Sequence, residues 1–293
     1  MTSETTQSEE ISFYFKTLSE DDITTFKKQS GIEDDEELRR HVEDVASRAR
    51  KIRGYLCLNR IWFLKTRIVD LPEYKDAVEL GKTREGAIFL DIGCCLGHDT
   101  RRIVMDGFPV QNVIASDLES DFWQLGHELF RSTPQTFPAA FMPGNIFDDE
   151  FLPNHELLLG MPTSARPQSL KSLPSLAPLR GQISVIHVSS LFHLFQEEPQ
   201  CQLAKKLASL LSPQPGSLIL GRQAGLAEPG ERVNSRGERI FCHSVDSWKK
   251  LWAGEGGVFP LGTVEVKAEF EHSQQLGIQV EGFWDLVWSV KRI

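Results

Sequence analysis

Residues 87–105 constrain the fold more than any other stretch of the chain. Ala87–Ile92 is a short apolar run, Gly93 and Gly97 bracket a turn, and helical spacing follows from about His98 to Met105. An apolar strand passing through a glycine turn into a helix is half of a parallel βα unit. The same alternation recurs downstream. Asn112–Ser116, Ala139–Pro143, Ile183–Val188 and Ser217–Leu220 read as further buried strands, with helical stretches at about Ser120–Phe130 and Pro199–Leu211. After a helix at Ser244–Trp252, Val264–Phe270 and Gly282–Lys291 are two strands close enough in sequence to pair antiparallel. The pattern predicts an α/β, Rossmann-like fold: a seven-stranded, mostly parallel sheet with an antiparallel last strand and helices on both faces.

Two segments stand outside the alternation. Residues 154–182 are rich in Ser, Pro and Leu without firm periodicity, and read as an inserted loop. Asp34–Leu56 carries apolar residues at Leu38, Val42, Val45, Ala49, Ile52 and Leu56, which form one stripe along a helix. With the aromatic-apolar segment Ile61–Leu64 it predicts an N-terminal helical cap over residues 1–80, ahead of a domain at 81–293. The stripe serves either as a lid over a substrate or as packing on the outer face of the sheet. Trp248 and Trp252 share a helix face and Trp284 and Trp288 a strand face, which suits core packing or the contact of a homodimer.

Composition narrows the partners. The formal net charge is -9, and the first 50 residues, with 13 acidic and 7 basic side chains, hold -6 of it. No basic surface for nucleic acid is expected, and the nearly balanced remainder suits a small apolar ligand. Five cysteines with no CxxC motif predict reduced thiols and no metal-ligand set. The start MTSETTQSEE has no secretory signature and no apolar run approaches bilayer length, so a cytoplasmic protein without membrane association is expected.

The glycine turn, Phe89-Leu90-Asp91-Ile92-Gly93-Cys94-Cys95-Leu96-Gly97, admits two ligand readings and a third with no ligand at all. A dinucleotide fingerprint needs a middle glycine where Cys95 stands. The form D-x-G-x-x-x-G instead resembles the first motif of class I S-adenosylmethionine-dependent methyltransferases. That donor carries an ammonium and a carboxylate, so Asp91 is the expected acceptor for the first and the helix N-terminus after Gly97 the donor for the second. Asp117 lies 20 residues past Gly97, the offset at which a carboxylate takes both hydroxyls of a ribose, and Leu118 is placed to pack on an adenine. In Met142–Asp148, Asn145 stands where such enzymes often carry Asp, and Ile146 supplies a backbone contact and an apolar wall. His187 and His193, at and beyond the tip of the fourth strand, are the candidates for a general base, against packing roles for both.

The run LDIGCCLGHDTRR, with SDLESDFWQLGHELFR, GNIFD and IHVSSLFHLF behind it, resembles a group of fungal class I methyltransferases of natural-product pathways, including meroterpenoids of the austinol and terretonin type. Tyr55–Leu64 is similar to that group's N-terminal motif, with Leu56 where a proline is usual. The resemblance runs from about residue 40 to the end of the chain. It implies S-adenosyl-L-methionine as cofactor and methyl transfer to an oxygen, often a carboxylate, of a terpenoid or polyketide intermediate. The non-enzymatic alternative is a methyltransferase-like regulatory or scaffold subunit.

Overall fold

The computed structural model describes residues 11, 13–65, 67–234, 237–272 and 284–293. Among the described residues the helices of eight residues or more are α1 (Glu20–Ser30), α2 (Asp35–Ile52), α3 (Tyr74–Thr83), α4 (His98–Met105), α5 (Ser120–Leu129), α6 (Glu197–Leu210) and α7 (Val245–Ala253). The strands are β1 (Phe89–Ile92), β2 (Val113–Asp117), β3 (Ala140–Pro143), β4 (Val185–His187), β5 (Leu218–Gly225), β6 (Gly230–Val233), β7 (Arg239–Cys242), β8 (Val264–His272) and β9 (Trp284–Arg292). Seven of them form one sheet in the order β3-β2-β1-β4-β5-β9-β8. Strands β1 to β5 run parallel, and β9 is antiparallel to both β5 and β8. The expected sheet is therefore present; of the last predicted strand, residues 282–283 lie outside the described residues.

Near-continuous apolar runs form these strands because both faces of the sheet are covered. On one face Phe89, Val185, Leu218, Leu220 and Val287 pack with Tyr74 and Ala77 of α3, Ile103 of α4 and Phe108. On the other, Leu90, Ile186, Ile219, Leu286 and Val290 meet α6 and α7. Trp248, Trp252 and Trp288 are fully buried there, with ring centroids 4.8–5.8 Å apart, so these three are core; Trp284 is half-buried beside Phe270. The strand order reverses between β1 and β4, which opens a crevice at their carboxyl ends.

The α2 stripe lands on a surface the sequence does not reveal. Asp34 caps the helix by accepting from Glu37 N–H at 2.8 Å, and Leu38, Val42, Val45, Ala46 and Ala49 are buried against Phe122, Leu125 and Leu129 of α5. The helix packs on another helix, not on the sheet, whose faces are already occupied. Arg48 clasps Glu128 with two hydrogen bonds and Arg131 pairs with Glu37, so part of the acidic face is held by the domain beneath it. Helix α2 stops at Ile52, short of Leu56, because Arg53 turns extended.

The β6–β7 hairpin was not expected, since GERV is polar and outward-facing and carries no apolar alternation. Helices α1 and α3 are also additions. In residues 154–182 the only regular element is a 3-10 turn at Ala177–Leu179, and Leu170, Leu176 and Leu179 anchor the loop in the core. All five cysteines are free thiols. Among the described residues no helix is long and apolar enough to cross a membrane.

Candidate cofactor and catalytic site

The two motif glycines do different work. Gly93 and Gly97 both have φ +72° and Cys95 between them has φ +49°. Gly93 N–H and Cys94 N–H donate to Ser116 O at 2.8 and 3.1 Å, and Gly97 N–H donates to Cys94 O at 2.8 Å, which pins the turn to the tip of β2. A Cβ on Gly97 would lie 2.6 Å from Trp123 Cζ3 and 2.9 Å from Arg101 Nη1. A Cβ on Gly93 would meet nothing nearer than Leu191 at 3.6 Å. Gly97 is thus a packing glycine, whereas Gly93 opens toward the loop after β4. Cys94 is buried with Ala115 and Trp123, and Cys95 leans toward the N-terminal cap. Burial pushes both thiols well above their ordinary range, so neither is a thiolate nucleophile.

At the tip of β2, Asp117 accepts from Cys95 N–H at 2.8 Å and from Glu119 N–H at 3.0 Å. Burial raises its carboxyl above the usual carboxylate value despite these bonds. The adjacent Leu118 is 54% exposed, a large apolar side chain left in the open at a strand tip. Gly144 N–H donates to Asp117 O at 3.0 Å and so sets the β3 tip alongside. There Ile146 is buried, while the Asn145 side-chain carbonyl folds back to accept from Phe147 N–H at 3.0 Å. Asp117, Leu118, Asn145 and Ile146 are therefore brought together as expected from their spacing.

Asp91 sits differently from its expected role. It is 2% exposed, with Oδ1 2.8 Å from His187 Nδ1 and Oδ2 accepting from the Thr100 hydroxyl. On the far side of the ring, His187 Nε2 lies 2.8 Å from Ser189 Oγ. In the neutral ring with Nδ1–H donating to the Asp91 carboxylate, Nε2 accepts from the Ser189 hydroxyl. Burial pulls the imidazole pKa down, but the charge and hydrogen bond of Asp91 outweigh it, and the net direction is upward. Asp91 thus reaches the rim only through His187 and Ser189. His193, on the turn Phe192–Leu194, accepts from Ala224 N–H at Nδ1 over 3.2 Å, and burial lowers it to about 4. Its proton is therefore on Nε2, making it a hydrogen-bond donor at neutral pH.

Residues 13–64 match the family described as the meroterpenoid methyltransferase N-terminal domain. Methyltransferase trt5 of Aspergillus terreus is 30% identical over 81% of this chain and 76% of its own length. The Asnovolin E/Chermesin D methyltransferase nvfJ of Aspergillus novofumigatus is 31% identical over 74% of this chain and 69% of its own. This chain belongs to the fungal methyltransferases. It is also 32% identical, over 72% of its length, to O-methyltransferase phiE of Fungal sp. (strain ATCC 74256), of which it spans 63%.

In this methyltransferase a further polar band lies on the sheet face that carries Asp91 and His187. Arg222 of β5 and Asp285 of β9 are buried, with Arg67 reaching Asp285 at 2.5 Å and Glu271 of β8 at the rim. Reading the sequence missed Ser189, Thr100, Arg222 and Asp285. The signal for Arg222 was available: a charged residue stands two positions past the apolar run Leu218–Leu220, inside what proves to be one strand.

Proposed function

We propose that this methyltransferase moves the methyl group of S-adenosylmethionine to an oxygen of a small natural-product acid, a carboxylate of a terpenoid-type intermediate. The observation that carries the reading is the β2 tip, where a fixed carboxylate at Asp117 and an uncovered Leu118 stand beside an open Gly93. That set fits the donor: Asp117 takes the ribose hydroxyls, Leu118 and Ile146 sandwich the adenine, and Gly93 leaves room for the backbone to approach. The bound donor supplies an electrophilic methyl on a sulfonium, and the protein's task is alignment, a contribution of roughly 7–11 kcal/mol when geometry is held.

The carboxylate acceptor is favoured over a hydroxyl by what the histidines do. His187 has Asp91 on one nitrogen and Ser189 on the other, and His193 presents an N–H. Neither offers a free lone pair to a substrate hydroxyl, and an acceptor already ionised at neutral pH needs none. The interposed Ser189 also supplies a hydroxyl oxygen, held by His187, as the acceptor for the donor's ammonium in place of the enclosed Asp91.

Titration calorimetry with S-adenosylmethionine tests the reading. Micromolar binding, about -8 kcal/mol, that is lost in Asp117→Ala supports it, and a wild-type protein that does not bind overturns it. Labelled methyl transfer to terpenoid acids, with the matching alcohols as controls, then reads the acceptor atom.

A further inference from the structure

We propose that Arg222 is a carboxylate clamp at the carboxyl edge of the sheet, and that its Nε–Nη2 side grips a ligand carboxylate where Glu271 now stands. The proposal rests on the methyltransferase reading above and adds to it a residue that receives one end of a ligand. Position comes first. Ser190 N–H donates to Arg222 O at 2.7 Å, continuing the β4–β5 ladder past the His187–Leu220 pair. Arg222 is therefore level with Ser189, one strand over, and on the same face of the sheet as His187.

The unmet chemistry comes second. Arg222 is 3% exposed, yet its Nε and Nη2 are buried without a hydrogen-bond partner. These two nitrogens form the side-on fork of the guanidinium, the edge that matches the two oxygens of a carboxylate. The neighbouring acids do not fill it. Asp285 Oδ2 is 3.7 Å from Nη1 and is committed to Arg67 at 2.5 Å. Glu271 Oε2 stands 3.5 Å from Nη2, beyond the span of a charge-assisted hydrogen bond, with its side chain 41% exposed. A purely structural ion pair would close to a bidentate contact, because unmet buried donors are costly. Asp285 Oδ1 is likewise buried and without a partner beside it. Glu271 holds the place at the rim and swings to solvent when a ligand carboxylate enters, which keeps the charge of the bay unchanged. A carboxylate gripped side-on keeps a second lone pair on each oxygen, so the clamp leaves an acceptor able to attack.

Two carboxylates can meet this chemistry: that of the donor's methionine end and that of the acceptor. Calorimetry on the full chain separates them, using wild type, Arg222→Lys and Arg222→Gln. Lysine keeps the charge beside Asp285 and Glu271 but lacks the fork. The donor pair is S-adenosylhomocysteine against 5′-methylthioadenosine, which lacks the amino-acid end. The acceptor pair is farnesoic acid against farnesol, with S-adenosylhomocysteine saturating. A clamp on the donor weakens S-adenosylhomocysteine at least tenfold in both variants and leaves 5′-methylthioadenosine unchanged. A clamp on the acceptor leaves both nucleosides unchanged and weakens farnesoic acid at least tenfold relative to farnesol. The proposal is overturned if neither ratio moves, if all ligands weaken together, or if nucleosides are unaffected and farnesoic acid does not bind. Wild-type protein that binds no S-adenosylhomocysteine fails the methyltransferase reading itself, a separate result.

Discussion

Adding one methyl group at Gly93 and, separately, at Gly97 distinguishes a ligand-facing glycine from a packing glycine in the same turn. Both residues have φ +72°, so alanine costs about 1–2 kcal/mol in backbone strain at either position. About 0.4–1 kcal/mol returns through the stiffer unfolded chain. At Gly97 the new Cβ also runs into Trp123 and Arg101 at 2.6 and 2.9 Å. Neither can yield easily. Trp123 is stacked on Phe141 at 5.2 Å, and the Arg101 guanidinium lies between Phe130 and Phe137, each ring centroid 4.5 Å away. Overpacking of this kind adds about 1–3 kcal/mol. Gly97→Ala should therefore lose about 2–4 kcal/mol in urea unfolding and Gly93→Ala about 1 kcal/mol. Affinity for S-adenosylhomocysteine, measured well below both unfolding transitions, should fall in the opposite order, at least tenfold for Gly93→Ala. Equal stability losses would refute the packing argument. Wild-type affinity in Gly93→Ala would remove Gly93 from the donor site.

Other outcomes follow from single contacts. Asp117→Asn should weaken S-adenosylhomocysteine at least tenfold by calorimetry, since the amide cannot accept from two ribose hydroxyls as well as from Cys95 and Glu119. Burial lowers His127, His193 and His243 to about 4, so the unfolded chain binds more protons between pH 6.5 and 4. Stability should fall as the pH drops through that window, by up to about 1.4 kcal/mol per pH unit for each histidine. The raised His187 works in the opposite sense, its stabilisation being full below pH 6.5 and lost as the pH rises past its folded value. A urea midpoint that does not change from pH 7 to 5 would contradict the three lowered values. Leu38→Ala, in the stripe beneath α2, should cost about 2–5 kcal/mol in urea unfolding; a loss under 1 kcal/mol would mean the cap is not packed on α5 in solution.

How far the site could be read in advance depended on whether a residue acts within its own βα unit. Asp117, Leu118, Asn145 and Ile146 stand at or just past strand tips and Gly93 and Gly97 flank the turn after β1, and the turn chemistry beside them is local, so spacing along the chain sufficed to place them there. Asp91 was located too, but its partners were not: His187 and Thr100 consume both oxygens, and His187 is 96 residues away. His193 was visible as a histidine, but its tautomer depends on an amide of β5. The β6–β7 hairpin escaped because its first strand faces outward and needs no apolar pattern.

By itself the sequence determined the seven strands of the main sheet, the glycine turn and the acidic residue at the end of the second strand. Each of these is encoded by hydrophobic period or by backbone freedom over a few consecutive residues. The tertiary structure alone decided which side chains face one another. The order β3-β2-β1-β4-β5-β9-β8 makes neighbours of β1 and β4, and of β5 and β9, strands far apart in the chain. That adjacency encloses Asp91 behind His187 and Ser189, and it leaves the Arg222 fork unfilled beside an Asp285 already held by Arg67. Charge, hydrogen bonding and burial act through space, so no local pattern carries them.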